Sequence, residues 1–315
     1  MATAPIFVAT HPRSCSTAFE RVFMTRQDDL VCAHEPFGDA YYFGPEHLGS
    51  RFADEPQIRE ESDYANTTYK EVLDQLLAQH DGKRVFIKDM AYYLFAPDGQ
   101  PTHVAPSLAD MATVEDKQQS DGDTANPTTL PLSALRKFQF TFLIRHPRRS
   151  IPSYYRCTVP PLVESTRFNE FMPCEAGYAE LRQLFDYLRK QGIVDSNEIT
   201  IIDADDLLDR PAAGVEAFCK AVGLDFRPEM LQWGGDSASQ QHVSKAFEKW
   251  TGWHNDALAS TGLQARTSHK KTPSPAEEDA EWLAKYGEKG QKVIRDCVEA
   301  NTPDYEYLKQ FALNF

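Results

Sequence analysis

Cationic and hydroxyl side chains follow an apolar run near the start of the chain. The run Ile6–Ala9 is followed by Arg13, Ser14, Ser16 and Thr17. This order is typical of a buried strand that turns into a helix. The first amides of a helix lack intrahelical partners and lie at its positive end, so they bind phosphate, and an arginine adds a forked charged donor. The segment predicts an anion site; a simple helix cap by Ser14, Ser16 or Thr17 is the alternative that stays open here.

A second apolar run, Phe138–Ile144, is followed by Arg145 and, eight positions later, by Ser153. Eight residues correspond to roughly two helical turns, so one anion can contact both side chains, although Pro152 interrupts the helical pattern. Ligands of open parallel sheets bind outside the carboxyl ends of the strands. The two runs therefore predict anion-binding groups at the ends of two strands.

Together, the two motifs resemble those of sulfotransferases that use 3′-phosphoadenosine-5′-phosphosulfate. In that family a Pro-Arg/Lys-Ser-Gly-(Ser/Thr)-Thr loop after the first strand holds the 5′ phosphate, and an Arg followed eight residues later by Ser holds the 3′ phosphate. A third stretch, Ile201–Leu224, resembles the family's later strand, acidic turn and proline-started helix. By resemblance, the 5′-phosphate residues are Arg13, Ser14, Cys15 (where the family has glycine), Ser16 and Thr17, and the 3′-phosphate residues are Arg145 and Ser153.

The resemblance also implies a fold and an activity. The fold is α/β, a P-loop-like three-layer arrangement with a central parallel sheet flanked by helices. The activity is transfer of a sulfuryl group from 3′-phosphoadenosine-5′-phosphosulfate to a hydroxyl or amine of a small, apolar or aromatic acceptor. Adenosine 3′,5′-bisphosphate is the product, and the reaction needs no metal.

An acceptor hydroxyl needs a base to take its proton, and the segment Cys32–Phe37 contains the candidates. Some family branches carry a base glutamate at a comparable place, whereas the cytosolic branch has a histidine at the end of a Lys-Thr-His strand. Here that strand ends with Lys88-Asp89-Met90. Glu35 is therefore the predicted base and His34 the competing one, while Lys88 is predicted to stabilise charge on the transferring group.

Aromatic residues after these motifs are candidates for an acceptor pocket, because small-molecule sites are mostly apolar with few polar anchors. Most aromatic residues in proteins are simply core, and that interpretation stays open for each of them. The candidates are Tyr41, Tyr42, Phe43, Tyr92, Tyr93, Trp250 and Trp253.

The composition limits the classes of molecule that can be the partner. The 315-residue chain carries a net charge of −14, which disfavours nucleic acid or a highly anionic polysaccharide as the partner. Six scattered cysteines match neither a disulfide framework nor a metal site, and no long apolar run predicts a membrane segment. We therefore expect a cytoplasmic enzyme with a small-molecule acceptor; its oligomeric state is left open.

Strand and helix patterns alternate along the chain, as in a parallel sheet covered by helices. The length fits a single domain, residues 1–315, with a polar surface loop at 110–129. The helix predicted at Glu277–Glu299 is expected to bury Trp282 and Leu283. The predicted elements are helix Thr67–Gln79, strand Arg84–Lys88, helix Tyr178–Gln191, strand Ile199–Ile202 and helix Glu277–Glu299.

Two other functions remain. A nucleotide kinase or hydrolase normally needs GxxxxGK[ST], and residues 10–17 contain neither glycine nor lysine. The second alternative is a sulfotransferase-like enzyme with altered chemistry, such as elimination or cyclisation, that no longer uses the sulfate donor. Cys15 and Met90, which replace a glycine and a histidine of the family, favour that alternative, since a fold does not fix a reaction.

Overall fold

A computed structural model describes residues 4–113, 125–195, 198–233, 237–266 and 273–315. Its central feature is a parallel sheet of five strands in the order β2-β3-β1-β4-β5. In this sheet Val8 of β1 pairs with Lys88 of β3, and His34 of β2 also pairs with Lys88. The predicted α/β fold is confirmed. The strands are β1 Ile6–Thr10, β2 Leu30–His34, β3 Arg84–Met90, β4 Gln139–Ile144 and β5 Ile201–Asp203.

Helices flank the sheet. In the described residues the α-helices are α1 Ser16–Met24, α2 Phe37–Tyr42, α3 Pro56–Glu61, α4 Tyr69–Leu77, α5 Leu132–Leu135, α6 Pro147–Cys157, α7 Val163–Thr166, α8 Tyr178–Lys190, α9 Ala204–Asp209, α10 Pro211–Val222, α11 Ser237–Phe247, α12 Asn255–Ala259 and α13 Pro275–Lys309. Short 3₁₀ turns occur at Ala91–Leu94, Pro97–Gly99, Pro106–Met111, Pro173–Glu175, Pro228–Leu231 and Glu248–Trp250. No helix among these combines the length and apolar composition needed to span a bilayer.

Local sequence signals explain several helix boundaries. Thr68 and Glu71 form a capping box at the start of α4, and Ser274 and Glu277 form another at the start of α13. Helix α10 ends at Gly223, whose φ of 72° suits glycine. Each of the predicted helices and strands is present, with boundaries shifted by a few residues and α13 extending well beyond the predicted range.

The chain divides into two compact units. The first comprises Met1–His11, Arg26–Phe142 and Ala179–Thr200. Its core is built on β1, which is buried along its whole length. The Phe7 ring packs against Phe138 at 5.6 Å and against Phe140 at 5.0 Å between ring centroids. Contacts of this kind fix the strand that leads to the first predicted anion loop.

The second unit comprises Pro12–Thr25, Leu143–Tyr178 and Ile201–Phe315. Its core includes Phe19 and Phe23 of α1, each about 5 Å from the ring of Phe218 on α10. Trp282 is buried as predicted, but Leu283 is 43% exposed, so its assignment to the core is wrong. The helical period explains this, because the residue after a buried one lies about 100° round the helix.

The predicted surface loop at 110–129 is described only at its ends. Residues 114–124 lie outside the described residues. At one end Asp110 belongs to a 3₁₀ turn, and at the other Thr128 and Thr129 are buried, so the loop does not reach that far at the surface. The assignment of residues 1–315 to a single domain stays a prediction.

Candidate active site

The loop between β1 and α1 has an unusual backbone. Arg13 has a φ of 61° and Cys15 a φ of 64°, both in the left-handed region that favours glycine. Such a conformation costs a residue with a side chain about 1–2 kcal/mol, and it persists where the surrounding structure enforces it. Cys15 immediately precedes α1. It therefore keeps the conformation for which a glycine would be suited, despite its side chain.

The two predicted phosphate motifs lie in hydrogen-bond contact within the second unit. Arg13 Nε donates to Ser153 Oγ at 2.9 Å, and Arg145 Nη1 donates to the Arg13 carbonyl oxygen at 3.2 Å. Ser14 and Ser16 are buried beside them. The structure thus brings together residues that are about 130 to 140 positions apart in the sequence.

Three side chains spaced four residues apart, Arg13, Thr17 and Arg21, contact one segment far along the sequence. We call residues Trp253–Ser260, which include α12, the strap. Thr17 Oγ1 lies 2.8 Å from His254 Nδ1. The remaining contacts are Arg13 to the Trp253 carbonyl and, at 3.7 Å, to the Asp256 carboxylate, and Arg21 to the carbonyls of Ala257 and, at 3.3 Å, Ser260.

One carboxylate, that of Asp205, lies beside Arg145. Arg145 Nε lies 3.8 Å from Asp205 Oδ1, and the same carboxylate oxygen lies 3.2 Å from Arg266 Nη1.

Burial raises the pKa of the Cys15 thiol, and this effect outweighs the nearby Arg145 charge, which lowers it. The thiol therefore stays protonated at neutral pH and is a poor nucleophile.

The three predicted catalytic side chains lie together in the first unit. Lys88 Nζ donates a short hydrogen bond to Glu35 Oε1, and His34 Nε2 lies 3.8 Å from the same oxygen. Tyr93 OH donates to Glu35 Oε2 at 3.2 Å. Glu35 is only 3% exposed and has a φ of 47°, a third non-glycine residue in the left-handed region at a predicted site position.

Parallel strand pairing accounts for this cluster. His34, the last residue of β2, is the register partner of Lys88 in β3, and the Glu35 amide donates to the Lys88 carbonyl at 2.8 Å. The buried carboxylate of Asp89 accepts from the Phe37 amide at 2.9 Å and so fixes the turn that carries Glu35 into α2. The sequence indicated no role for Asp89, although a carboxylate next to a strand-end lysine was a usable signal.

The aromatic candidates have different surroundings. Tyr41, Tyr42, Tyr92 and Tyr93 form a buried cluster in the first unit, with the Tyr42 and Tyr92 hydroxyls 2.9 Å apart. Burial, followed by the negative charge of Glu35, raises the pKa of Tyr93 well above its ordinary value. The Tyr93 phenol therefore remains a donor, which makes it a partner of Glu35.

Comparisons with known proteins identify the family to which this chain is similar. Residues 100–282, more than half of the chain, match the family described as sulfotransferase domain. The chain is 24% identical over 327 residues to sulfotransferase ppzF of Metarhizium rileyi, covering 96% of this chain and 94% of that protein. It is 26% identical over 243 residues to sulfotransferase ppzF of Metarhizium majus, covering 74% and 70%. A sulfotransferase structure from Alicyclobacillus acidocaldarius aligns at 12% identity with a TM-score of 0.42, covering 82% of this chain and 96% of that one.

Proposed function

Because this chain belongs to the sulfotransferase family, we propose that its donor is 3′-phosphoadenosine-5′-phosphosulfate. We further propose that the acceptor is a hydroxyl or amine of a small, apolar or aromatic molecule. The observation that carries the donor assignment is the hydrogen bond from Arg13 to Ser153, because it joins the loop matched to the 5′ phosphate with the pair matched to the 3′ phosphate. A cytoplasmic location and an acceptor other than nucleic acid stay predictions.

The chemistry of the second unit fits a ligand with two phosphate groups. Arg13 and Arg145 provide two guanidinium groups, and the start of α1 adds amides and the hydroxyls of Ser16 and Thr17. A dianionic phosphate at a helix start is stabilised by the dipole and by charge-assisted hydrogen bonds. When bound, the donor supplies the activated sulfuryl group. We assign Arg13, Ser14, Cys15, Ser16 and Thr17 to its 5′ end and Arg145 with Ser153 to its 3′ phosphate.

Glu35 is the proposed base. It takes the acceptor proton while the acceptor oxygen forms its bond to sulfur and the bond from sulfur to the 5′-phosphate oxygen breaks. Lys88 and Tyr93 support this role, since each donates to one of the two carboxylate oxygens and so fixes the orientation of the group. Lys88 is also assigned to stabilise negative charge that develops on the reacting oxygens. His34 remains the competing base because its ring lies beside the same carboxylate.

Thermal unfolding with nucleotides tests the donor assignment. Adenosine 3′,5′-bisphosphate should raise the Tm more than ATP or AMP at equal concentration, because a ligand that binds only the folded state stabilises it more the lower its Kd. ATP stabilising equally well would contradict a site built for separate 5′ and 3′ phosphates. It would remove the main support for the donor assignment and favour a nucleotide kinase or hydrolase, since such enzymes bind ATP.

A further inference from the structure

A buried tyrosine hydroxyl lies behind the pair assigned to the 3′ phosphate. Tyr178, the first residue of α8, is 0% exposed and belongs to the second unit, as do Arg145 and Ser153. Its OH donates to the Arg145 carbonyl oxygen at 2.6 Å, and its oxygen also lies 2.5 Å from Ser150 Oγ on α6. Because a phenol has one proton, Ser150 is the donor in the second hydrogen bond. The Tyr178 hydroxyl therefore joins the end of β4 to α6.

These two hydrogen bonds act at a junction that neither secondary-structure element holds by itself. Arg145 lies between Ile144, the last residue of β4, and Pro147, the first residue of α6. The strand ends before Arg145, and the helical hydrogen bonds begin after it, with the His146 carbonyl as acceptor. The carbonyl of a residue at such a junction needs a donor from elsewhere in the structure. Tyr178 supplies that donor, and burial raises the pKa of its phenol well above the ordinary value, so the proton is present at neutral pH.

The same hydroxyl acts on both members of the predicted 3′-phosphate pair. It holds the backbone of Arg145 directly. It holds Ser150, which lies three residues before Ser153 and so on the same face of α6. Hydrogen bonds to a phosphate require short distances and good alignment, so a small change in the separation of Arg145 and Ser153 weakens both contacts.

We propose that Tyr178 is a positioning residue that sets the separation of Arg145 and Ser153 and thereby the preference for a nucleotide with a 3′ phosphate. This inference rests on the proposed donor. It assigns Tyr178 no contact with the nucleotide, because its hydroxyl acts through the Arg145 carbonyl and through Ser150. Its effect is therefore confined to the 3′ phosphate, whereas the 5′ phosphate depends on the loop before α1.

Calorimetry of the full chain with two nucleotides tests this role. Adenosine 3′,5′-bisphosphate and AMP differ only in the 3′ phosphate, so the ratio of their Kd values measures the contribution of that group. Tyr178→Phe removes only the hydroxyl. It should reduce the preference for the bisphosphate at least about fivefold, while the Kd for AMP stays within about twofold of the wild-type value. A purely structural role would lower the Tm and leave this ratio unchanged.

Tyr69→Phe is the matched control. Tyr69 is also 0% exposed, and its hydroxyl also donates to a backbone carbonyl at 2.6 Å, that of Tyr93 in the first unit. The control therefore loses a hydroxyl with the same burial and the same kind of hydrogen bond, away from the predicted 3′-phosphate pair. Its ratio of Kd values should equal that of the wild type.

The outcomes separate this inference from the function on which it rests. If the wild type binds both nucleotides equally well, the donor assignment itself fails, and the positioning role fails with it. If the wild type prefers the bisphosphate and folded Tyr178→Phe keeps the full preference, the positioning role is overturned and the donor assignment stands. An equal loss of preference in Tyr69→Phe also overturns it. Should Tyr178→Phe not fold, Ser150→Ala removes only the second hydrogen bond and should reduce the preference at least about threefold; an unchanged ratio there rejects the proposal.

Discussion

Asp256 should weaken nucleotide binding, and replacing it with asparagine should strengthen that binding. Its carboxylate lies 3.7 Å from Arg13 Nη2 and 3.1 Å from Arg156 Nη2. An anion that binds Arg13 therefore meets a negative charge already next to the same guanidinium. Asp256→Asn keeps the size of the side chain and removes only its charge. Because Asp256 is 77% exposed, the ion pair contributes at most about 1 kcal/mol to folding.

The size of the effect follows from the ion-pair geometry. Adding one hydrogen-bond length of about 2.8 Å to the ion-pair distance places a phosphate oxygen about 6.5 Å from the Asp256 carboxylate. For one negative charge on each group, the repulsion is about 0.6 kcal/mol at the dielectric constant of water and about 1.3 kcal/mol at half that value. We therefore expect Asp256→Asn to bind adenosine 3′,5′-bisphosphate about 3- to 9-fold more tightly.

Calorimetric titration at low and high salt measures this change. The gain should shrink as salt rises, because the Debye length falls from about 10 Å at 0.1 M to about 3 Å at 1 M. Asp296→Asn is the matched control, since Asp296 is also an exposed carboxylate paired with a cation, Lys292. An affinity unchanged within twofold, or an equal gain in the control, would refute the conclusion that Asp256 competes with the nucleotide for Arg13.

Three further outcomes are expected. Glu35→Gln should lower single-turnover transfer by about 10²–10⁴ with nucleotide affinity unchanged; a normal rate, with His34→Ala inactive, would make His34 the base. Arg145→Ala should weaken adenosine 3′,5′-bisphosphate binding by about 1.5–3 kcal/mol in calorimetry, and an unchanged Kd in a folded variant would contradict its role. Burial lowers the pKa of His146, whose side chain caps α6. Below about pH 6.5 the unfolded chain therefore binds more protons than the folded one, and the free energy of unfolding decreases as the pH is lowered. Urea unfolding should show a smaller loss between pH 7 and pH 5 for His146→Asn, and an equal loss would reject this assignment.

The sequence predicted the parts of the site that depend on local pattern and strand order. Apolar runs located β1 and β4, and the residues after each run lie in contact, as the bond from Arg13 to Ser153 shows. The pairing of Glu35 with Lys88 follows from the same principle, because Glu35 follows β2 directly and Lys88 lies near the end of the adjacent parallel strand β3. The family pattern also marked position 15, where Cys15 adopts the backbone conformation expected of glycine.

The strap could not be predicted from the sequence. Its contacts with the donor loop and α1 join residues 236 to 243 positions apart, and most of its acceptors are backbone carbonyls, such as that of Trp253, which any residue carries. The exposure of Leu258 was equally hidden, since an apolar residue in a short helix normally indicates core. The contact of Tyr93, a candidate for the acceptor pocket, with Glu35 was also hidden, because it depends on the 3₁₀ turn after β3.

The long separation between the donor loop and the strap has a consequence for biosynthesis. Chains are made at about 5–20 residues per second, so the ribosome needs roughly 10–50 s after Arg13 to add the strap residues that contact it. During that time the nascent loop carries its cations without Trp253, His254 and Asp256. Arg13, Thr17 and Arg21 therefore stay without their strap partners, and open to other anions, until the strap has been synthesised.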